Sequence, residues 1–312
     1  MADPLNLVFC GTPAFAVPTL QKLAEAGHCV TLVVTQPDRP RGRGMEMTAS
    51  PVKQKALELG LPITQPEKIK NNREFRDQLA ALRPDAIIVV GYGRIIPQWM
   101  IDLPPLGNLN LHASLLPKYR GAAPIQWAIA NGEAVTGVTT MRIDAGLDTG
   151  DILLQKEVPI GSRDTSVTLS PTLAEFGADL MIETLAGLRT GSIHPRPQDH
   201  SRASLAPILT KEDGRIDFQL TAQEICNRLR GFQPWPGAFT TFRGKNLQVW
   251  DAAVAELNAP PGQLAIEDDR MIVGCNGPTG LALLEVQLEG KKRMPARHFL
   301  HGYHLQPRER LG

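Results

Sequence analysis

Short, unbroken apolar runs alternate with stretches of helical spacing through the first half of the chain. LNLVFCG at 5–11 is the first run and ends in glycine; PAFAVPTLQKLAEAGH follows with apolar positions three and four apart. CVTLVVTQ, PDAIIVVGYG, LNLHAS and TGVTTMRI supply further strands, and VKQKALELG a further helix. Runs without polar alternation are strands buried on both faces, and their alternation with helices predicts an α/β fold with a parallel sheet covered on both sides. Ligands of such sheets bind beyond the carboxyl ends of the strands. That rule gathers Gly11, Thr12, Gly91, Tyr92, Asn110, His112 and the 144–151 loop around one crevice.

TSVTLSPTLAEFGADLMIETLAGL, 165–188, is one long helix or two broken at Pro171, and it closes the first domain, 1–190. GSIHPRPQDHSRASLA, 191–206, is polar and carries two prolines, the composition of a linker. From 207 to 312 the texture changes to short runs (GRIDF, GAFTTFRGKNLQVWDAAV, DDRMIVGC, GLALLEVQL) separated by Gly, Pro and Asp, with TAQEICNRLRG as a single helix. Many short strands with frequent turns predict a small β-barrel. PWPGAF, Pro234–Phe239, reads as packing between domains, with Trp235 buried.

Composition narrows this little: 42% hydrophobic and 21% charged residues are ordinary for a soluble globular chain of 312 residues. A net charge of +1 means that any anionic partner is held by a local basic patch. The four cysteines, Cys10, Cys29, Cys226 and Cys275, form no CxxC pair and read as reduced thiols of a cytoplasmic protein without structural zinc. The start, MADPLNLVFCGTP, has no targeting pattern, and no apolar run is of membrane length.

The chemistry concentrates in NLNLHASLLPKYRGAAP, 108–124. On a strand, Leu109 and Leu111 face one way and Asn110 and His112 the other. An amide and an imidazole side by side can stabilise the oxyanion of an acyl-transfer intermediate. IDAGLDTGDIL offers three carboxylates to orient the imidazole, Asp144, Asp148 and Asp151, and Asp148 stands between Gly146 and Gly150. A satisfied core pair is the plain alternative for Asn110 and His112. A calcium loop would need closer acidic spacing and a terminal glutamate. Ser114 lacks a G-x-S-x-G elbow, so direct transfer between two bound substrates fits better than an acyl-enzyme. FCGTPAF lacks G-x-G-x-x-G, which argues against NAD. His298, His301 and His304 have no carboxylate or thiol beside them in sequence, so no metal is expected.

NLNLHASLLPKYRGAAPIQWAI, then TGVTTMRIDAGLDTGDIL, then RGFQPWPGAF resemble the methionyl-tRNA formyltransferase family. VFCGTPAFAVPTL, TQPDRPRGRG, LAPILTKEDGRIDF and LLEVQLEGKKRMPARHFL extend the resemblance over nearly the whole chain. H-x-S-L-L-P with a later D-x-G is common to folate-dependent formyltransferases; PDRPRGRG and the C-terminal segments are particular to those acting on tRNA. The resemblance implies a Rossmann-like formyltransferase domain followed by an OB-type barrel. It implies 10-formyltetrahydrofolate as formyl donor and the α-amine of initiator methionyl-tRNA as acceptor. By the same resemblance Asn110, His112 and Asp148 are catalytic, and Arg94, Ile96, Ser114, Leu115, Leu116 and Pro117 contact folate.

Arg39, Arg41 and Arg43 crowd one glycine-containing loop at the ligand end of the sheet and are expected to close on the acceptor end of the tRNA. Lys291, Lys292, Arg293 and Arg297 form a second basic cluster suited to the tRNA backbone. A folate formyltransferase acting on another amine, such as an amino-sugar nucleotide, would share the trio without a use for the arginine loop. A non-catalytic RNA-binding protein would have no use for the trio. The expected state is a cytoplasmic monomer.

Overall fold

The computed structural model describes residues 4–41 and 46–312. The chain divides into two compact units, one of Met1–Gly121, Val135–Pro159 and Ser170–Ala206, the other of Ala122–Ala134, Ile160–Leu169 and Pro207–Gly312.

In the first unit, strands β1 (Asn6–Gly11), β2 (Cys29–Val34), β5 (Ile63–Thr64), β6 (Ala86–Val90), β7 (Asn108–His112), β9 (Val135–Arg142) and β10 (Ile152–Pro159) form one sheet in the order β10-β9-β7-β6-β1-β2-β5. Helices α1 (Val17–Glu25), α2 (Pro51–Glu58), α3 (Arg73–Leu82) and α4 (Gln98–Ile101) lie between its strands, α6 (Ser166–Thr190) follows the last of them, and β3 (Arg39–Arg41) pairs β4 (Glu46–Thr48). The apolar runs form the strands because both faces are covered. Val8, Cys10, Ile87 and Val89 pack with Phe75 and Leu79 of α3 and Met100 of α4, while Leu111 comes so close to Gly177 of α6 that a Cβ there would stand 2.6 Å from it. Each fully buried Leu, Ile or Val contributes roughly 1.5–3 kcal/mol.

The sheet is Rossmann-like and mostly parallel, with one exception that shapes the site: β9 runs antiparallel to β7, Leu109 facing Arg142 and His112 facing Thr139. The chain therefore leaves β9 at the wrong end of the sheet for a ligand loop, and residues 143–151 must climb back along one face. α6 is a single continuous helix with Pro171 inside it. Pro171 and Val167, whose carbonyl loses its intrahelical donor, are both exposed, so water can take the missing bond. Tyr92 does not line a crevice; it is 2% exposed, in the same cluster as Val8 and Ile96. Among the described residues no helix is long and apolar enough to cross a membrane.

Residues 191–206 carry their own pairings. Arg196 bridges Ile152, and β11 (Leu205–Ala206) runs parallel to β8 (Arg120–Gly121).

In the second unit, β12 (Ala238–Phe242), β13 (Lys245–Glu256), β16 (Thr279–Leu288), β15 (Arg270–Gly274) and β14 (Leu264–Glu267) form an antiparallel sheet in that order, with β17 (Met294–Pro295) on β16. α5 (Pro124–Ala130), α7 (Ala222–Gly231) and α8 (Ala296–Gly302) belong to this unit. A capping box between Thr221 and Glu224 starts α7. Among the described residues no strand pairing joins β12 to β14. The last residues strap the gap: Arg308 N donates to Leu264 O at 2.8 Å, Leu264 N to Glu309 O at 2.7 Å, and Gly312 N to Thr241 O at 3.1 Å. Trp235 corrects its expected burial: it is 56% exposed. The aromatic that this corner buries is Phe232, edge-on to Trp127 at 5.2 Å.

Candidate active site

Strand β7 sorts its side chains as the alternation predicts. Asn108, Asn110 and His112 share one face. Asn108 Nδ2 donates to the carbonyls of Met100 and Ile101 at 2.7 and 3.1 Å, tying the strand to the end of α4. Asn110 is half-buried, and among the described residues its amide makes no hydrogen bond. His112 is buried, at 6% exposure.

Both imidazole nitrogens face a partner. Nε2 lies 2.8 Å from the carbonyl oxygen of Tyr119. A carbonyl only accepts, so Nε2 carries a hydrogen and donates it. Nδ1 lies 3.7 Å from Oδ2 of Asp148, too far for a direct hydrogen bond but well placed for charge attraction. Tyr119 holds its carbonyl there from a left-handed backbone, φ 61°.

Asp148 also has a left-handed backbone, φ 51°. Its Oδ2 accepts the N–H of Gly121 at 2.8 Å. The loop reaches it from the far end: Ile143 N donates to Asn108 O at 2.8 Å, Ala145 lines the neighbouring cavity, and then Asp148 meets His112. Of the three candidate carboxylates, Asp144 serves the loop itself, accepting from Gly146 N at 3.0 Å and Thr149 Oγ1 at 2.7 Å.

Gln198 holds the loop from behind. Its Nε2 donates to the carbonyls of Asp148 and Gly150 at 2.9 and 2.7 Å. Its Oε1 accepts from Nε and Nη2 of Arg120 at 3.1 and 2.6 Å, and Nη2 also lies 3.1 Å from His200 Nδ1. Gln198 and Arg120 are both buried. Neither is among the sequence candidates; the only sequence signal is a glutamine and an arginine in stretches without periodicity.

A cavity of about 550 Å³ is lined by Lys68, Lys70, Arg94, Ile96, Ile101 and, from the loop that carries Asp148, Ala145, among others; none of the trio lines it. Ligand pockets commonly span roughly 300–1,000 Å³. Arg94 is held by its Nε bond to Gln36 Oε1 at 3.1 Å and a bond from Nη1 to the carbonyl of Glu67. The other folate candidates stand apart from this lining. Ser114 is fully buried and its hydroxyl donates to Lys118 O at 2.6 Å. Leu116 packs with Met141 and Ile152, its N–H on Thr139 and its carbonyl on Gln155. Leu115 and Pro117 are half-buried, whereas Ser114 and Leu116 are buried.

Of the loop arginines, Arg39 is exposed, Arg41 lies in β3, and Arg43 lies outside the described residues. The root of that loop is fixed by Asp38, which accepts from Lys53 Nζ at 2.6 Å and Gln65 Nε2 at 2.7 Å. Those two bonds hold the Asp38 carboxyl below its ordinary pKa. Lys291 and Lys292 are exposed, whereas Arg293 pairs with Glu285 and lies 5.0 Å over the Trp250 ring. Among the described residues, no group of three His, Cys, Asp or Glu is arranged to hold a metal ion.

The formyl transferase model matches residues 5–185, and the model of the formyl transferase C-terminal domain matches 208–304. A methionyl-tRNA formyltransferase of Koribacter versatilis is 67% identical over 98% of each chain. The chain belongs to the methionyl-tRNA formyltransferase family. A methionyl-tRNA formyltransferase of Acidobacterium capsulatum is 63% identical over 99% of this formyltransferase and 100% of its own length. Among solved structures, the sugar 3N-formyl transferase WlaRD matches the fold with a TM-score of 0.65 at 20% identity, covering 93% of this formyltransferase and 100% of that chain.

Proposed function

We propose that this protein transfers the formyl group of 10-formyltetrahydrofolate to the α-amine of methionyl-tRNA, giving the formylated initiator of bacterial translation. The observation that carries it is the 67% identity, over 98% of both chains, to a methionyl-tRNA formyltransferase. The first unit holds the chemistry. The second, whose sheet is strapped by residues 308–312 in the manner of an OB-type barrel, binds tRNA with Lys291 and Lys292 at its surface.

The α-amine has a reference pKa of about 8, so a useful fraction is neutral near physiological pH. Its nitrogen attacks the formyl carbon, a C–N bond forms, and negative charge gathers on the formyl oxygen. Asn110 donates to that oxygen through an amide that has no other partner among the described residues. Doubly protonated His112 donates through Nδ1, because its Nε2–H is held by Tyr119 O. Collapse breaks the bond to N10 of the folate. The amine loses one proton and N10 gains one, with Asp148 taking part in the exchange. The cavity beside Arg94 and Ile96 receives the pterin end of the donor. Arg39, Arg41 and Arg43 engage the acceptor end of the tRNA from a loop rooted at Asp38.

The test presents the protein with labelled 10-formyltetrahydrofolate and three acceptors: methionyl-tRNA, free methionine and an amino-sugar nucleotide. Label on methionyl-tRNA is expected; label on the sugar alone would overturn the assignment. Replacing Arg39, Arg41 and Arg43 together is expected to impair transfer to tRNA and leave folate binding intact. Equal losses in both would remove the loop from tRNA recognition.

A further inference from the structure

We infer that Gln198 is a positioning residue for this site, a clamp that sets where Asp148 stands, and that buried Arg120 fixes which way the clamp faces. The inference rests on the transfer function proposed above.

A guanidinium has only donors, so the two Arg120 contacts identify the oxygen of the Gln198 amide and leave its nitrogen facing the loop. Both amide hydrogens are then used, on the carbonyls of Asp148 and Gly150. The loop needs such a hold. Asp148 occupies a left-handed conformation that an isolated L-residue avoids. Gly150 sits so tightly that a Cβ would fall 1.9 Å from Arg142 O. The carboxylate end is held from the same side of the structure, since its partner Gly121 directly follows Arg120 in β8. One short strand thus fixes the Asp148 side chain through its backbone and the Asp148 backbone through Gln198. A guanidinium 7% exposed, whose side-chain partners among the described residues are an amide oxygen and an imidazole nitrogen, is a costly group to bury. Its geometry makes sense as the orienter of that amide.

Two variants separate the clamp from the fold. Gln198→Ala removes every contact. Gln198→Glu keeps an oxygen pair for Arg120, and a carboxylate cannot donate to the two loop carbonyls. A displacement of about 1 Å at a reacting group costs on the order of 10²-fold in rate. Accordingly kcat is expected to fall by about 10–100-fold in both variants, with KM for folate donor and methionyl-tRNA within about threefold of the parent. Independently of activity, crystal structures of the two variants are expected to show the Asp148 carboxylate displaced from its 3.7 Å approach to His112 Nδ1. Thermal unfolding of Gln198→Glu checks that the chain is folded. A folded Gln198→Glu with parental kcat, or an Asp148 carboxylate undisplaced in both variants, overturns the inference. If the parent itself fails to formylate methionyl-tRNA, the function fails instead, and the variant crystal structures still decide whether Gln198 sets the carboxylate.

Discussion

Asp148 faces His112 across 3.7 Å, carboxylate Oδ2 to imidazole Nδ1, from a loop that starts at the opposite end of the sheet. The imidazole is fixed by β7 and the Tyr119 carbonyl, the carboxylate by Gly121 N–H and Gln198. Two separately held groups are thereby brought to a distance that charge can bridge and a direct hydrogen bond cannot.

Asp148→Asn keeps an acceptor for Gly121 and a side chain that tolerates the left-handed backbone. Only the charge and the proton acceptor are lost. Proton-transfer groups contribute typically ~10²–10⁴-fold, and single-turnover formylation of methionyl-tRNA should slow by that order with little change in Tm. A rate within threefold of the parent would remove Asp148 from the chemistry.

Asn110→Ala deletes an amide that makes no hydrogen bond among the described residues. Stability is expected to stay level while kcat drops by roughly 10²–10³-fold, the usual cost of one oxyanion donor. Thermal melts and turnover measured on the same preparation check both halves.

Gly150→Ala tests the loop rather than the charge. The new methyl would meet Arg142 O at 1.9 Å, a backbone atom that cannot rotate away. Overpacking costs typically ~1–3 kcal/mol. The outcome to look for in a denaturant titration is a loss in that range, together with a kcat loss like that of Asp148→Asn. A stable, fully active variant would show that the loop can sit elsewhere.

Much of this site is legible from residues alone, for a physical reason. Alternation along β7 places Asn110 and His112 on one face and the leucines on the other, while IDAGLDTGDIL offers three carboxylates, among which the family resemblance picks Asp148. The reversal of β9 is not legible, because a strand buried on both faces has the same apolar run whichever way it points. The family resemblance implies folate contacts at Ser114 and Leu116, whose side chains turn inward to hold the loop. Gln198 lies in a polar, proline-bearing stretch with the composition of a linker. Its burial comes from long-range partners in β8 and the Asp148 loop, which no local pattern records.

In the second unit, Glu309 takes Arg243 Nε at 2.7 Å and Nη2 at 3.2 Å, and the bond to Arg243 holds its carboxyl below the ordinary range. A carboxyl whose folded pKa is depressed stabilises the fold above its unfolded pKa, about 4.3, and loses that contribution as pH falls through the folded value. Glu309→Gln should therefore lower the Tm of this unit at pH 7 and match the parent under strongly acidic conditions. A gap between the two that persists unchanged at pH 2 would refute the pairing as its source.

The bond from His112 Nε2 to the Tyr119 carbonyl limits how protons travel here. A peptide oxygen is no base at neutral pH, so nothing can leave through that nitrogen. In the proposed transfer, whatever the ring accepts on its Asp148 side it must return on the same side, so the pair would serve as a two-seat reservoir instead of a wire leading away from the reaction.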